Sequence, residues 1–207
     1  MPRITKILIL LNVAVFILQG FIGDKLTEIF ALWPVGSYYV ADLHATVGFH
    51  VWQLFTSAFL HADIVHIGLN MYALWFFGRD VETEMGGKAY LNLYFAAVLS
   101  AALTQLFVVS HTTASGVYPT IGASGGIFGV MLAYGLLFPG KKLMLVFPPI
   151  VMPAIVFIVL YGLGELIYGV TGTEQGVAHF AHLGGMLGGF LALKYWQRKN
   201  YVRGEGV

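Results

Sequence analysis

Gly122-Ala123-Ser124-Gly125-Gly126-Ile127-Phe128-Gly129-Val130-Met131-Leu132-Ala133-Tyr134-Gly135-Leu136-Leu137-Phe138 is an apolar run with a single hydroxyl at its mouth. It is long enough to cross a bilayer as a helix, and no charge interrupts it. Two further polar clusters open other apolar runs: His66-Ile67-Gly68-Leu69-Asn70 and Ala181-His182-Leu183-Gly184-Gly185. Polar groups inside lipid cost free energy unless they are paired or line a wet cavity, so their default reading is functional.

The rest of the chain agrees with a membrane reading. Of 207 residues, 58% are hydrophobic and 10% charged, with mean hydropathy +0.79. Soluble domains carry about 25% charged residues, so a soluble fold is excluded. The fold class expected is all-α, a polytopic bundle of six transmembrane helices in one domain spanning residues 1–207. The spans are expected near 5–22, 61–78, 88–109, 122–138, 148–170 and 178–197. Arg3 and Lys6, followed by the apolar run Ile7 to Ile22, resemble a secretory leader, but no small-x-small cleavage site follows, so that span reads as retained. Between the first two spans, Gly23 to Leu60 is broken by Pro34, Gly36, Asp42, His44 and His50 and is rich in Trp and Tyr, which suits an interfacial loop. With no Cys there is no disulfide framework or thiolate chemistry. A net charge of +1 and the absence of a basic stripe exclude nucleic acid as a partner.

Counting Lys and Arg by connection sets the orientation. With the N-terminus inside, ten of the eleven fall on the cytoplasmic side and only Lys25 on the other. Both termini are therefore expected in the cytoplasm of a plasma-membrane (inner-membrane) protein. Spans two, four and six then run from outside to inside. His66, Asn70, Ser124 and His182 all fall at one depth, a few residues below the extracytoplasmic surface.

Each group taken alone has a plain structural reading. A helical Ser flanked by Gly usually packs, a lone His usually satisfies a hydrogen bond, and His66 and Asn70 can bond each other because residues four apart share a face. Together they are the parts of a serine hydrolase: a nucleophile, a base and two donors for a developing oxyanion. Gly122, Gly125, Gly126 and Gly129 give span four a small face, and Gly185 and Gly189 give span six another. Such faces let backbones approach until hydroxyl and imidazole meet. No Asp or Glu is expected beside them, so the pair reads as a dyad with His182 held by the ring of Phe128. With no HExxH motif and no carboxylate at matching depth, no metal and no cofactor are expected. His61 and His179 are expected to pack loops or support the site from behind.

The assembled residues resemble the rhomboid family of intramembrane serine proteases. The resemblance rests on Trp52-Gln53, His61, His66-x-x-x-Asn70, Glu82, Gly122-Ala123-Ser124-Gly125 and Ala181-His182-x-x-Gly185-x-x-x-Gly189, and covers the six-span core in its minimal bacterial form. It implies Ser124 as nucleophile, His182 as general base and then acid, and the Ser124 N–H with His66 and Asn70 as the oxyanion hole. The substrates implied are single-span membrane proteins cut within the lipid bilayer, with a small residue before the cut bond. Two positions depart from the family: Gln53 stands where Arg is frequent after the loop Trp, and Phe128 where Tyr is frequent. Two other readings fit the polar cluster, an inactive rhomboid-like binder of transmembrane helices and a small transporter. The latter lacks an inverted repeat. Oligomeric state is left open by the sequence.

Overall fold

The computed structural model describes residues 1–111, 117–144, 149–171 and 178–203, excepting the side chain of residue 203. Its helices are α1 (Arg3–Ile22), α2 (Asp24–Phe30), α3 (Gln53–Thr56), α4 (Ile64–Met85), α5 (Gly87–His111), α6 (Ser124–Leu137), α7 (Ala154–Thr171) and α8 (His179–Arg203). Two short antiparallel pairs accompany them: β1 (Tyr38–Val40) with β2 (Ala45–Val47), and β3 (Lys142–Met144) with β4 (Val151–Pro153). The all-α expectation therefore holds for the bulk of the fold and misses two hairpins.

The central element is α6, which packs against α4, α5, α7 and α8. Ten of its fourteen residues are buried. At 1.5 Å per residue it is about 21 Å long, short of the roughly 30 Å hydrocarbon core. A helix enclosed by protein need not match the bilayer. Helices α1, α5 and α7 are long and apolar enough to cross a membrane. α1 and α7 turn apolar side chains outward, among them Leu10, Ile17, Phe21, Leu160, Leu163 and Ile167. Exposed apolar surface of that extent marks a membrane protein.

The boundaries correct the sequence reading in two places. The expected fifth span begins at residue 148, which lies outside the described residues. Val151–Pro153 are strand, and the helix starts at Ala154, whose N–H bonds Lys141 O at 2.7 Å. The second helix runs past residue 78 to Met85, so Glu82 lies inside its last turn rather than in a loop, only 5% exposed.

Glu82 explains how α1 starts. Pro2, the residue before α1, offers no side-chain cap. The first N–H groups of a helix need partners from elsewhere. Glu82 supplies them, accepting from Ile4 N at 2.8 Å, Thr5 N at 2.7 Å and Thr5 Oγ1 at 2.7 Å. Its charge also complements the positive end of the α1 dipole. At the same end of α4, Lys141 Nζ bonds Asp80 Oδ2 at 2.6 Å and ties the β3 turn to the bundle.

The segment between α1 and α4 has its own small core of Leu26, Ala31, Trp33, Val47 and Leu60. Gln53, fully buried, is its organiser. Gln53 Oε1 accepts from His50 N at 3.0 Å and Trp33 N at 3.3 Å, while Nε2 donates to Gly48 O at 3.2 Å and Ile29 O at 3.3 Å. The departure from Arg thus keeps an anchor: a neutral amide with its whole bonding capacity in use. Leu32 and Thr120 exchange backbone hydrogen bonds, and Gly122 N bonds Ser57 O at 2.9 Å, which fastens this segment to the entry of α6.

Replacing Glu82 with Ala strands two helix-start N–H groups and is expected to cost about 2–4 kcal/mol, with Glu82→Gln milder. Thermal unfolding in detergent micelles checks this; a Glu82→Ala protein as stable as wild type contradicts the capping role.

Candidate active site

The site is assembled at the start of three helices. Gly122 has φ +123°, a left-handed conformation that disfavours any side chain, and the chain then turns through Ala123 into α6 at Ser124. A Cβ on Gly122 would also lie 2.8 Å from His66 Nε2 and 3.7 Å from Asn70 Nδ2. Two donors of α4 therefore converge on the backbone just before the serine. α4 itself is set by Asp63, whose Oδ1 caps the N–H groups of Val65 and His66, both at 2.8 Å.

Close backbone approach brings α8 to α6. A Cβ on Gly185 would collide with Gly125 O, and one on Gly189 would lie 2.5 Å from Gly129 Cα. At that separation His182 Nε2 sits 2.8 Å from Ser124 Oγ. The ring of Phe128 stacks on His182 with centroids 4.2 Å apart and planes 7° from parallel. The structure thus brings Ser124 and His182 together and puts Phe128 where the sequence reading expects it.

One expectation is overturned. Glu165, on α7, is buried beside the pair: its Oε2 lies 2.8 Å from His182 Nδ1 and 2.7 Å from His179 Nδ1. The dyad expected to lack a carboxylate partner has one. A lone acidic residue in an otherwise apolar helix was the available signal, and His179 is its second contact, the supporting role that the sequence leaves open beside loop packing. The premise behind expecting no metal also falls, because Glu165, His179 and His182 offer donor atoms within 4.8 Å of one another and are, among the described residues, a group that could hold an ion. Hydrogen bonding by two imidazole N–H groups to one carboxylate oxygen accounts for the same distances.

His66 Nδ1 accepts from Ala62 N at 3.4 Å, which leaves Nε2 as the protonated, donating nitrogen. Its ring meets that of buried His61 edge-on, centroids 5.0 Å apart. Asn70 Nδ2 is buried with no hydrogen-bond acceptor among the described residues. Ser124, His182, His66, Asn70 and Phe128 all line one cavity of about 560 Å³. Such a set can activate a hydroxyl by proton transfer to imidazole and offer two N–H donors to a nearby oxygen.

A rhomboid-domain family profile matches residues 48–198. The chain belongs to the rhomboid family. The mitochondrial rhomboid protein 1 of Saccharomyces cerevisiae is 39% identical over 93 residues, 44% of this chain and 27% of that protein. The rhomboid protease GluP of Bacillus subtilis is 33% identical over 141 residues, 68% of this chain and 25% of GluP. The rhomboid protease GlpG of Klebsiella pneumoniae is 30% identical over 131 residues, 63% of this chain and 41% of GlpG. The chain thus spans less than half the length of these relatives. All the cavity groups described here, and Gln53 and Glu165, fall within the rhomboid match.

The glycine contacts make a sharp prediction. Gly185→Ala forces α8 from α6 and is expected to cost about 1–3 kcal/mol, with loss of the Ser124–His182 contact. Gly164→Ala, where an added Cβ meets nothing within 4 Å, is expected to be neutral or slightly stabilising. Melting temperatures of the two variants, with fluorophosphonate labelling as the site readout, check the contrast; equal behaviour of the two contradicts the close-packing account.

Proposed function

We propose that this chain is an intramembrane serine endopeptidase that cleaves transmembrane segments. The observation that carries the reading is the 2.8 Å contact between Ser124 Oγ and His182 Nε2 inside a cavity also lined by Asn70, whose Nδ2 has no acceptor among the described residues. Its rhomboid membership, and protease relatives such as GluP and GlpG, support the same chemistry.

On this reading Ser124 gives its proton to His182 Nε2 as Oγ attacks the scissile carbonyl. The oxygen that becomes negative is met by the Ser124 backbone N–H, His66 Nε2 and Asn70 Nδ2. His182 then protonates the leaving amine, and water, activated by the same imidazole, hydrolyses the acyl-enzyme. The stacked Phe128 ring restricts the imidazole to one plane through both steps.

The topology proposed has six crossings: α1, α4, α5, α6, α7 and α8. Both termini are cytoplasmic in a plasma membrane, and the cavity opens toward the extracytoplasmic face. The charge count supports it, as does the shortness of α6, whose first residue would lie below the membrane surface within reach of water. Substrates would be single-span membrane proteins cut near their extracytoplasmic end. A helical peptide bond is shielded by its own hydrogen bonds, so a span weakened by Gly or Pro should be cut faster.

Ser124→Ala and His182→Ala are each expected to abolish cleavage of a transmembrane fusion protein in proteoliposomes, with similar severity because members of one catalytic unit are not additive. Fluorophosphonate labelling should vanish in Ser124→Ala. Cleavage that persists in Ser124→Ala refutes the reading, and a wild-type protein that binds the span without cutting or labelling favours an inactive binder.

His66→Ala and Asn70→Ala are each expected to lower kcat by about 10²–10³ while labelling weakens but persists. Unchanged rates in both would reduce the pair to structural hydrogen bonding.

A further inference from the structure

Helix α7 turns one narrow face inward: Ala154, Ile158, Gly162 and Glu165 are its buried residues, spaced four, four and three apart. Three of these are apolar or small, and Gly162 admits Met186 of α8, whose Cε would lie 3.1 Å from an added Cβ. Glu165 is the exception. A carboxylate on an apolar helix is costly unless its oxygens are satisfied. Here two imidazoles meet it on the same oxygen, His179 Nδ1 at 2.7 Å and His182 Nδ1 at 2.8 Å, with the Glu165 side chain 7% exposed, that of His179 5% and that of His182 12%.

The pairing has a consequence for His182. An ionised carboxylate can only accept, so the proton of neutral His182 must sit on Nδ1. Nε2 then carries the lone pair, and Nε2 is the atom 2.8 Å from Ser124 Oγ. Glu165 thereby selects the tautomer that can take the serine proton. His179 does the same for the carboxylate: its own Nδ1–H holds Oε2 in place from a position one turn before His182 on α8.

We infer that Glu165 is the positioning residue of the site, making Ser124, His182 and Glu165 a triad, and that His179 orients Glu165 from behind. The inference rests on the serine-endopeptidase reading above. As the Ser124 Oγ–carbonyl bond forms, the serine proton passes to His182 Nε2, and the Nδ1 proton stays where it is. The imidazolium then faces the Glu165 carboxylate at hydrogen-bond distance. Collapse of the tetrahedral adduct breaks the C–N bond, and the Nε2 proton leaves with the amine. Glu165 neither gains nor loses a proton. The competing account is that Glu165 only fastens α7 to α8, which would affect stability and leave turnover per folded molecule unchanged.

The test compares wild type, Glu165→Gln, His179→Phe and Ser124→Ala as full-length proteins in liposomes. It measures kcat and KM on a transmembrane fusion substrate, labelling rate with a fluorophosphonate, and melting temperature. Glu165→Gln is expected to lower kcat and labelling by about 10²–10⁴ with KM within about threefold, because the imidazolium loses its counter-charge and the tautomer is no longer fixed. His179→Phe keeps a ring and removes the second N–H, and is expected to lower kcat about tenfold at unchanged KM. A Glu165→Gln protein whose folded fraction turns over within about threefold of wild type overturns the inference. Where Glu165→Gln does not fold, an unchanged kcat in His179→Phe overturns it. An active Ser124→Ala would instead refute the endopeptidase reading itself, so the two failures are distinguishable.

Discussion

The structure depends on how closely two backbones can approach. Where α6 crosses α8 at their glycines there is no room for a side chain: Gly125 faces Gly185, and Gly129 faces Gly189. In lipid no hydrophobic force drives helices together, and packing of small residues takes its place. Two other glycines of α8, Gly184 and Gly188, press against Thr104, Ser100 and Ala96 of α5, so α8 is held on two sides by the same means. The 2.8 Å Ser124–His182 contact is a by-product of that geometry. A single methyl at the crossing would open the distance before it touched either reactive group.

Polar order is concentrated at one end of the bundle. The segment between α1 and α4 reaches the entry of α6 through the Leu32–Thr120 exchange and the Gly122–Ser57 bond. Gln19 of α1 clasps the His61 backbone from both sides, donating to its O at 3.2 Å and accepting from its N at 3.0 Å. Asp63 then begins α4. These bonds fix the height at which Ser124, His66 and Asn70 meet, which apolar packing alone would leave free to slide.

Much of this was legible in the sequence. Helical periods, glycine spacing and the Lys/Arg count are local or additive signals. They carry the four cavity residues to one level without knowledge of any contact. Phe128 was legible too, because one helical turn fixes which ring lies beneath Ser124. Glu165 was not, for a specific reason. Acidic residues of a membrane chain are expected outside its spans, whereas this one lies alone in an apolar run with no flanking pattern. The topology expected from the Lys/Arg count would put position 165 close to the outer end of the fifth span, at the level of Ser124. Glu82 was misplaced by hydropathy, which ends a span where charges begin although the helix continues and buries one of them. The β3–β4 hairpin gave no signal, since its strands are three residues each.

The two buried primary amides of the site region show what separates scaffold from chemistry. Gln53 uses both ends of its amide, two bonds accepted and two donated, and is complete in the resting protein. Asn70 is 7% exposed, and its Nδ2 has no acceptor among the described residues. Other buried polar atoms also lack partners among the described residues, including those of His61, Tyr90 and Tyr94, but of these residues Asn70 alone lines the cavity. An unsatisfied buried donor costs about 1–3 kcal/mol. On the serine-endopeptidase reading proposed above, an acceptor that enters the cavity relieves that cost. A neutral carbonyl relieves part of it, and an oxyanion relieves more, because hydrogen bonds to charge are the stronger ones. An interaction that strengthens as charge develops lowers the barrier rather than merely tightening binding. On that reading, the saturated scaffold amide holds the loop still, and the cavity amide keeps a donor for the transition state.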